Sequence, residues 1–191
     1  MELEAPGTGL PRLERLCIKN ILVPAARVVL TWNLALFMVK REIKIIVNLL
    51  KKIDKVKLQQ KMLIDRTFAI EDDTRQFSVN MVLEHLMIAG TTVKNVIETL
   101  SKEEEYKADI KIENVKPSLN KEQQLEEFVA FYETYFIFIK NLEKKQSKKR
   151  KKHPWFIEFN NYDWSVFMYM HTFIHRRQIE AILKELSNEY K

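Results

Sequence analysis

Three histidines and a glutamine carry the chemistry this sequence offers. His171-Thr-Phe-Ile-His175-Arg-Arg-Gln178 lies near the C-terminus, within a stretch from Trp164 to Leu186. Periodicity predicts one amphipathic helix there, because Trp164, Phe167, Met168, Ile174, Ile179, Ile182, Leu183 and Leu186 recur at three- and four-residue steps. His171 and His175 fall on that apolar stripe and Gln178 follows on the same side. Two imidazoles at i and i+4 project toward one point and can share one cation. Burying two imidazoles and an amide among apolar side chains is costly unless something satisfies them, and a metal ion would. A third donor has to come from elsewhere. His85 borders the stripe Val82, Leu86, Ala89, Val93, Val96 and Leu100 of a second predicted helix. If the two helices are neighbours, three imidazoles meet and leave a coordination position open, the arrangement of a catalytic rather than a closed structural site. Taken singly, each histidine is more often a satisfied core or boundary residue. Their joint placement on apolar stripes favours a metal.

Other reactive groups add less. Gln178 suits a site-lining amide that orients a ligand. His153 lies either near the mouth of the site or in a loop, holding a turn. Glu84 adjoins His85 but points about 100° around the helix, which fits a solvated or supporting role better than that of a base. Cys17 is the single cysteine, so no internal disulfide forms, and a lone thiol is more often a small core hydrophobe than a nucleophile. No Ser-His-Asp or Cys-His arrangement and no Gly-rich phosphate loop is present.

The elements that must position these residues are helices. Only 3 glycines and 5 prolines occur in 191 residues, too few turn formers for many short strands. The first long helix is predicted from Ala25 to Ile53, its uncharged stretch Val28 to Val39 as core. The second runs from Val79 to Leu100, with Ser78 as N-cap and Phe77 closing its start. The third runs from Lys121 to Lys144, capped by Asn120, with an aromatic face (Phe128, Phe131, Tyr132, Tyr135, Phe136) read as core. The fourth is Trp164 to Leu186, capped by Asp163 or Asn161. A short helical lead-in over Leu13 to Leu22, a short helix over Val56 to Ile64, a polar connection over Glu71 to Gln76 and an extended piece at Asp109 to Val115 complete the reading. Gly90 either admits the close approach of a neighbouring helix or a ligand, or has no special role. The sum is an all-α four-helix bundle over residues 13–191 with a flexible N-terminal arm over 1–12.

Composition narrows the function classes. The net charge of +6 is local, since Lys144, Lys145, Lys148, Lys149, Arg150, Lys151 and Lys152 carry 7 positive charges, and +6 less 7 leaves −1 elsewhere. Without interleaved aromatics the tract reads as a solvated loop rather than a nucleic-acid surface, although it could contact an acidic partner. No secretory signal and no membrane-spanning segment is expected, so the cytoplasm is the default compartment.

The order of these features resembles the DinB-like, or YfiT-like, family of metal-dependent hydrolases. Phe77-Ser78-Val79-Asn80-Met81-Val82-Leu83-Glu84-His85-Leu86 is like the family's capped helix with an early histidine. His153-Pro154-Trp155-Phe156 is like its His-Pro segment, and His171-x3-His175-Arg176-x-Gln178-Ile179 is like its closing motif. The resemblance covers about residues 25–187. It implies a four-helix bundle, frequent homodimers, and a divalent ion (zinc, nickel or iron) on His85, His171 and His175. It also implies transferase or isomerase chemistry with a low-molecular-weight thiol, or hydrolysis. Ile157 departs from the Gly that many relatives have after the His-Pro-aromatic segment, and the N-terminal arm is longer. Two functions stay open. One is a metal-dependent enzyme acting on a small thiol or electrophile. The other is a non-catalytic binding or stress-associated bundle that uses the lysine tract.

Overall fold

Residues 3–5 and 7–189 are described by the computed structural model, in which the chain is mostly helical. Helix α1 runs Arg12–Val29, α2 Trp32–Leu50, α3 Lys55–Leu58, α4 Val79–Ser101, α5 Gln124–Asn141 and α6 Asn161–Asn188. Short 3-10 turns occupy Asp72–Gln76 and Ile112–Val115. An unforeseen two-residue ladder pairs β1 (Lys151–Lys152) antiparallel with β2 (Glu158–Phe159), Lys151 opposite Phe159.

Caps decide where the long helices begin. The Ser78 hydroxyl accepts the Met81 N–H at 3.1 Å and starts α4 where the sequence predicts. Helix α6 starts earlier than predicted. Asn160, not Asn161 or Asp163, is its N-cap, accepting the Asp163 N–H at 2.9 Å while the Asp163 carboxylate accepts the Asn160 N–H at 3.2 Å. Asn120 does not cap α5. It accepts a hydrogen bond from the Ser78 hydroxyl at 2.6 Å and donates to the Gln59 carbonyl at 2.8 Å, so α5 starts later, at Gln124.

The expected single helix from Ala25 to Ile53 is two helices bent by 109°. Leu30 is extended, and the Thr31 hydroxyl accepts the Leu34 N–H at 3.2 Å, so Thr31 restarts the chain as the N-cap of α2. Upstream, the Val23 N–H reaches back five residues to the Ile18 carbonyl in a π turn over Ile18–Leu22. That wider turn helps a helix run pass Pro24, which lacks an N–H and crowds the carbonyl four residues before it. The bend also changes burial. Trp32, Ala35 and Val39 are buried, but Val28 and Phe37 are 88% and 61% exposed, so the stretch Val28 to Val39 is only partly core. The predicted helix over Val56 to Ile64 shortens to α3, capped by Asp54. The piece expected to be extended ends in the 3-10 turn Ile112–Val115.

Helix α6 packs on α2 and α4, and α5 packs on the same two helices. Between them lie Ile43, Ile46, Val82, Leu86, Phe128 and Ile182, among others. The aromatic face of α5 is core, as expected: Phe128, Tyr132 and Tyr135 are buried, and the Tyr132 hydroxyl bonds that of Thr172 at 3.1 Å. Glu42 of α2, buried, pairs with Arg176 of α6. Gly90 has a packing role, because a Cβ there would lie 2.7 Å from the Phe131 ring. Gly90→Val is therefore expected to destabilise the protein by about 1–3 kcal/mol through overpacking between α4 and α5, measured by urea unfolding.

Residues 1, 2 and 6 of the expected N-terminal arm, and residues 190 and 191 of the expected domain, lie outside the described residues. Leu10 is buried in a cluster with Ile18 and Ala69, and the Gly9 N–H donates to Glu71 at 3.0 Å. The lysine tract keeps its side chains largely exposed, but its backbone is tied down. The Lys148 and Lys149 amides donate to the Glu103 carboxylate, and Asn161 accepts the Ser147 N–H at 2.9 Å. Among the described residues no single helix is long and apolar enough to cross a membrane.

Candidate metal centre

The packing of α4 against α6 brings His85 to His171 and His175. Their ring centroids lie 4.5–5.1 Å apart, and one nitrogen from each ring falls within 4.8 Å of the other two. His85 and His175 are buried and His171 is half-buried. These three histidines form a cluster that can hold a metal ion.

Hydrogen bonds fix which nitrogen of two rings is free. His85 Nδ1 lies 2.7 Å from the Val115 carbonyl oxygen. A carbonyl only accepts, so Nδ1 carries the proton and Nε2 keeps its lone pair. His175 Nδ1 donates in the same way to Gln178 Oε1 at 2.7 Å, and Gln178 Nε2 donates to the Thr74 carbonyl at 2.8 Å, which sets the amide's orientation. Donation of the outer ring N–H to a carbonyl is the arrangement that orients histidine ligands of metals. His85 Nε2 and His171 Nε2 are 3.1 Å apart. Since His85 Nε2 has no proton, His171 Nε2–H is the donor between them, and His171 must give up or move that proton for its lone pair to face a cation. Nitrogens bound tetrahedrally at about 2.1 Å would stand about 3.4 Å apart, so small ring movements convert the cluster into a three-nitrogen site.

Burial holds all three rings neutral. It pushes the His85 imidazole down to about 4, with the Val115 hydrogen bond opposing. His171 and His175 are lowered well below the usual histidine range, first by burial and then by the neighbouring rings. Neutral imidazole is the form that ligates a metal. The donor set, its protonation and its anchoring therefore fit a divalent ion.

Loops supply the anchors. Glu84 is buried, not solvated, and accepts the Ser118 and Leu119 amides at 3.2 and 2.9 Å. Asn80 donates to the Lys121 carbonyl at 2.6 Å. These bonds hold the segment whose Val115 carbonyl accepts the hydrogen bond from His85 Nδ1–H. Lys116, next in sequence, pairs with Glu71 and Asp73 at the start of the turn that presents the Thr74 carbonyl to Gln178. Val115 and Thr74 act through backbone oxygens, which no residue-type signal reveals. Gln178 is wholly buried, and Gln178→Leu removes both of its bonds. That variant is expected to lower divalent-ion affinity by about 10- to 100-fold, measured by competition with a chromogenic chelator.

The three histidines lie on the wall of a cavity of about 290 Å³. His153 lines the same cavity but is not a member of the cluster. The Phe167 ring stands beside both His153 and His171, at 4.8 and 5.2 Å. His153 is buried, stacks on Phe156 at 4.5 Å and accepts the Trp155 N–H on Nδ1 at 3.2 Å. It thus both holds its turn and borders the site. Cys17, half-buried on α1, is not among the cavity's lining residues. Set against family models, curated proteins and solved structures, the chain matches none.

Proposed function

We propose that this chain is a DinB-like four-helix bundle that binds one divalent ion through His85, His171 and His175. It would serve as a metal-dependent transferase or hydrolase acting on a small thiol or on water. The carrying observation is the convergence of three neutral imidazoles, two of them with the outer N–H already donated, at the wall of a cavity. Bound there, a divalent ion would supply Lewis acidity that lowers the pKa of water or a thiol in the open position. The chain's own residues orient the donors: Val115 and Gln178 hold two rings, and Thr74 holds Gln178. Zinc or nickel suits an all-imidazole set best, and iron is compatible. No protein nucleophile is required, because the thiol or water is the nucleophile. The resemblance further implies a homodimer, and exposed apolar side chains such as Val28, Val29 and Phe37 are available to a partner copy. A reducing cytoplasm suits the single thiol.

Elemental analysis of untagged protein beside His171→Ala tests the site. About one divalent ion per chain, lost in the variant, supports it and justifies a screen of small thiols with electrophiles. No metal after reconstitution with zinc and nickel turns attention to the second reading, a non-catalytic bundle binding an acidic partner. The exposed lysines on their anchored backbone favour that reading. Such binding would be lost when the tract is neutralised and would survive His171→Ala.

A further inference from the structure

We infer that the cavity takes a small, mainly hydrocarbon ligand carrying a single metal-binding group, with the hydrocarbon lying under α1. Only the polar end of this assignment rests on the metal reading above. The walls away from the histidines are apolar: Ile18 and Val23 from α1, Val93 from α4, and Phe68, Ile110 and Phe156 from loops and the His-Pro segment.

The charged groups on the wall are largely spent on one another. Arg27 pairs with Asp163 at 2.7 Å, and Lys116 pairs with Glu71 and Asp73. Thr74 and Thr92 donate their hydroxyls to the carbonyls of Glu71 and Ile88. Lys111 and Arg177 reach the cavity but are exposed, at its rim. A phosphorylated or polyhydroxylated ligand would find few interior partners for its polar atoms, and burying those atoms unpaired is costly. A hydrocarbon loses nothing by entering, and the histidines give it one polar terminus.

The roof is built for the same occupant. Helix α1 is fastened at both ends, by Glu14 to Arg66 and by Arg27 to Asp163. Between those ties Ile18, Leu22, Val23 and Ala26 face the cavity, and of these only Ile18 is buried. The helix therefore presents an apolar inner face to space that a ligand would fill. An apolar cavity of about 150 Å³ accepts a benzene ring, so 290 Å³ suits roughly a dozen non-hydrogen atoms.

The test uses the zinc-loaded full chain and straight-chain hydroxamic acids from acetyl to decanoyl, with affinities from calorimetry. Affinity is expected to rise by about fourfold per methylene until the cavity is full. Ile18→Trp and Val23→Phe, which fill space beneath α1 without altering the histidine cluster, should weaken the octanoyl compound at least about tenfold and leave acetohydroxamate unchanged. Circular dichroism identifies either variant that fails to fold, and the other then decides. Tight acetohydroxamate binding with no dependence on chain length overturns the inference and leaves the metal site standing. If the chain takes no zinc, binding of 1-hexanol to 1-decanol by the metal-free protein decides instead. Growth with length upholds the hydrocarbon specificity, and no binding overturns it.

Discussion

Replacing any one of His85, His171 and His175 by alanine is expected to lower divalent-ion affinity by more than about a hundredfold, while helix content stays near that of the parent. An orienting partner outside the coordination sphere is worth roughly 10- to 100-fold, and a direct ligand exceeds that. The three nitrogens lie within 4.8 Å of one another, and removing one leaves a two-nitrogen site. Helix content should persist because none of the three caps a helix. Each substitution removes a ring from beside the cavity rather than from between α2 and α5. His153→Ala is the internal control: it changes the cavity wall but not the cluster, and should keep about one ion per chain. Metal content by mass spectrometry and the metal-dependent rise in melting temperature report together. An ion at a thousand times its Kd stabilises the folded state by about 4 kcal/mol, and that increment should vanish in the three variants. Parental metal content in all three would remove the site.

Much of the helical layout was legible because its signals are local. Ser78, Phe77 and the stripe Val82 to Leu100 lie within one stretch of chain, and α4 begins where they place it. The break between α1 and α2 was the main failure. Apolar residues continue across it, and only Thr31, a capping residue among them, marked it. An apolar run hides such a cap, because every residue around it also satisfies a helical pattern. Asn120 misled for the opposite reason. It has the chemistry of a cap, but Ser78 and Gln59 claimed its side chain from 42 and 61 residues away. Tertiary hydrogen bonds of that kind leave no local trace.

The site divides along the same line. His171, His175 and Gln178 share a helix face, and the structure joins them to His85 because α4 and α6 are neighbours. The anchors were hidden, since a carbonyl belongs to every residue and nothing in a valine or a threonine announces that its oxygen will face an imidazole. Neighbours in sequence give Glu84 no partner and leave a solvated and a supporting role open; the returning segment at Ser118 and Leu119 supplies two amides and selects the supporting one. The cavity roof was hidden by the same bend that divides α1 from α2. Read as one straight helix from Ala25 to Ile53, the chain carries Ala26 along the axis of α2 and gives no sign that it turns back over a site that α4 and α6 build. The bend is thus the fold's most consequential departure for function.

Acid should unfold the metal-free protein well before carboxylate protonation would. All 4 histidines of the chain are held neutral when folded, His85 lowered to about 4 and His153 to about 3, each mainly by burial, with His171 and His175 lowered in the same direction. In the unfolded chain each titrates near 6.5. Above that value neither state is charged and the full stability is present. As pH falls below about 6.5 the unfolded chain takes up four protons that the folded chain, with every histidine lowered, still refuses, so stability falls with pH below that value. Between pH 7.5 and 5.5 the loss comes to about 5 kcal/mol for four such groups, a large part of the 5–15 kcal/mol typical of a domain. Urea unfolding of chelator-treated protein at the two pH values measures it. A bound ion should shift the loss to lower pH, because protons must then displace it from three of the rings. His153→Phe separates burial from clustering: it removes one refused proton without touching the cluster, so the pH slope should drop by a quarter while metal content is unchanged. Equal stability at pH 7.5 and 5.5 would mean that the rings are solvated, and the buried cluster would go with them.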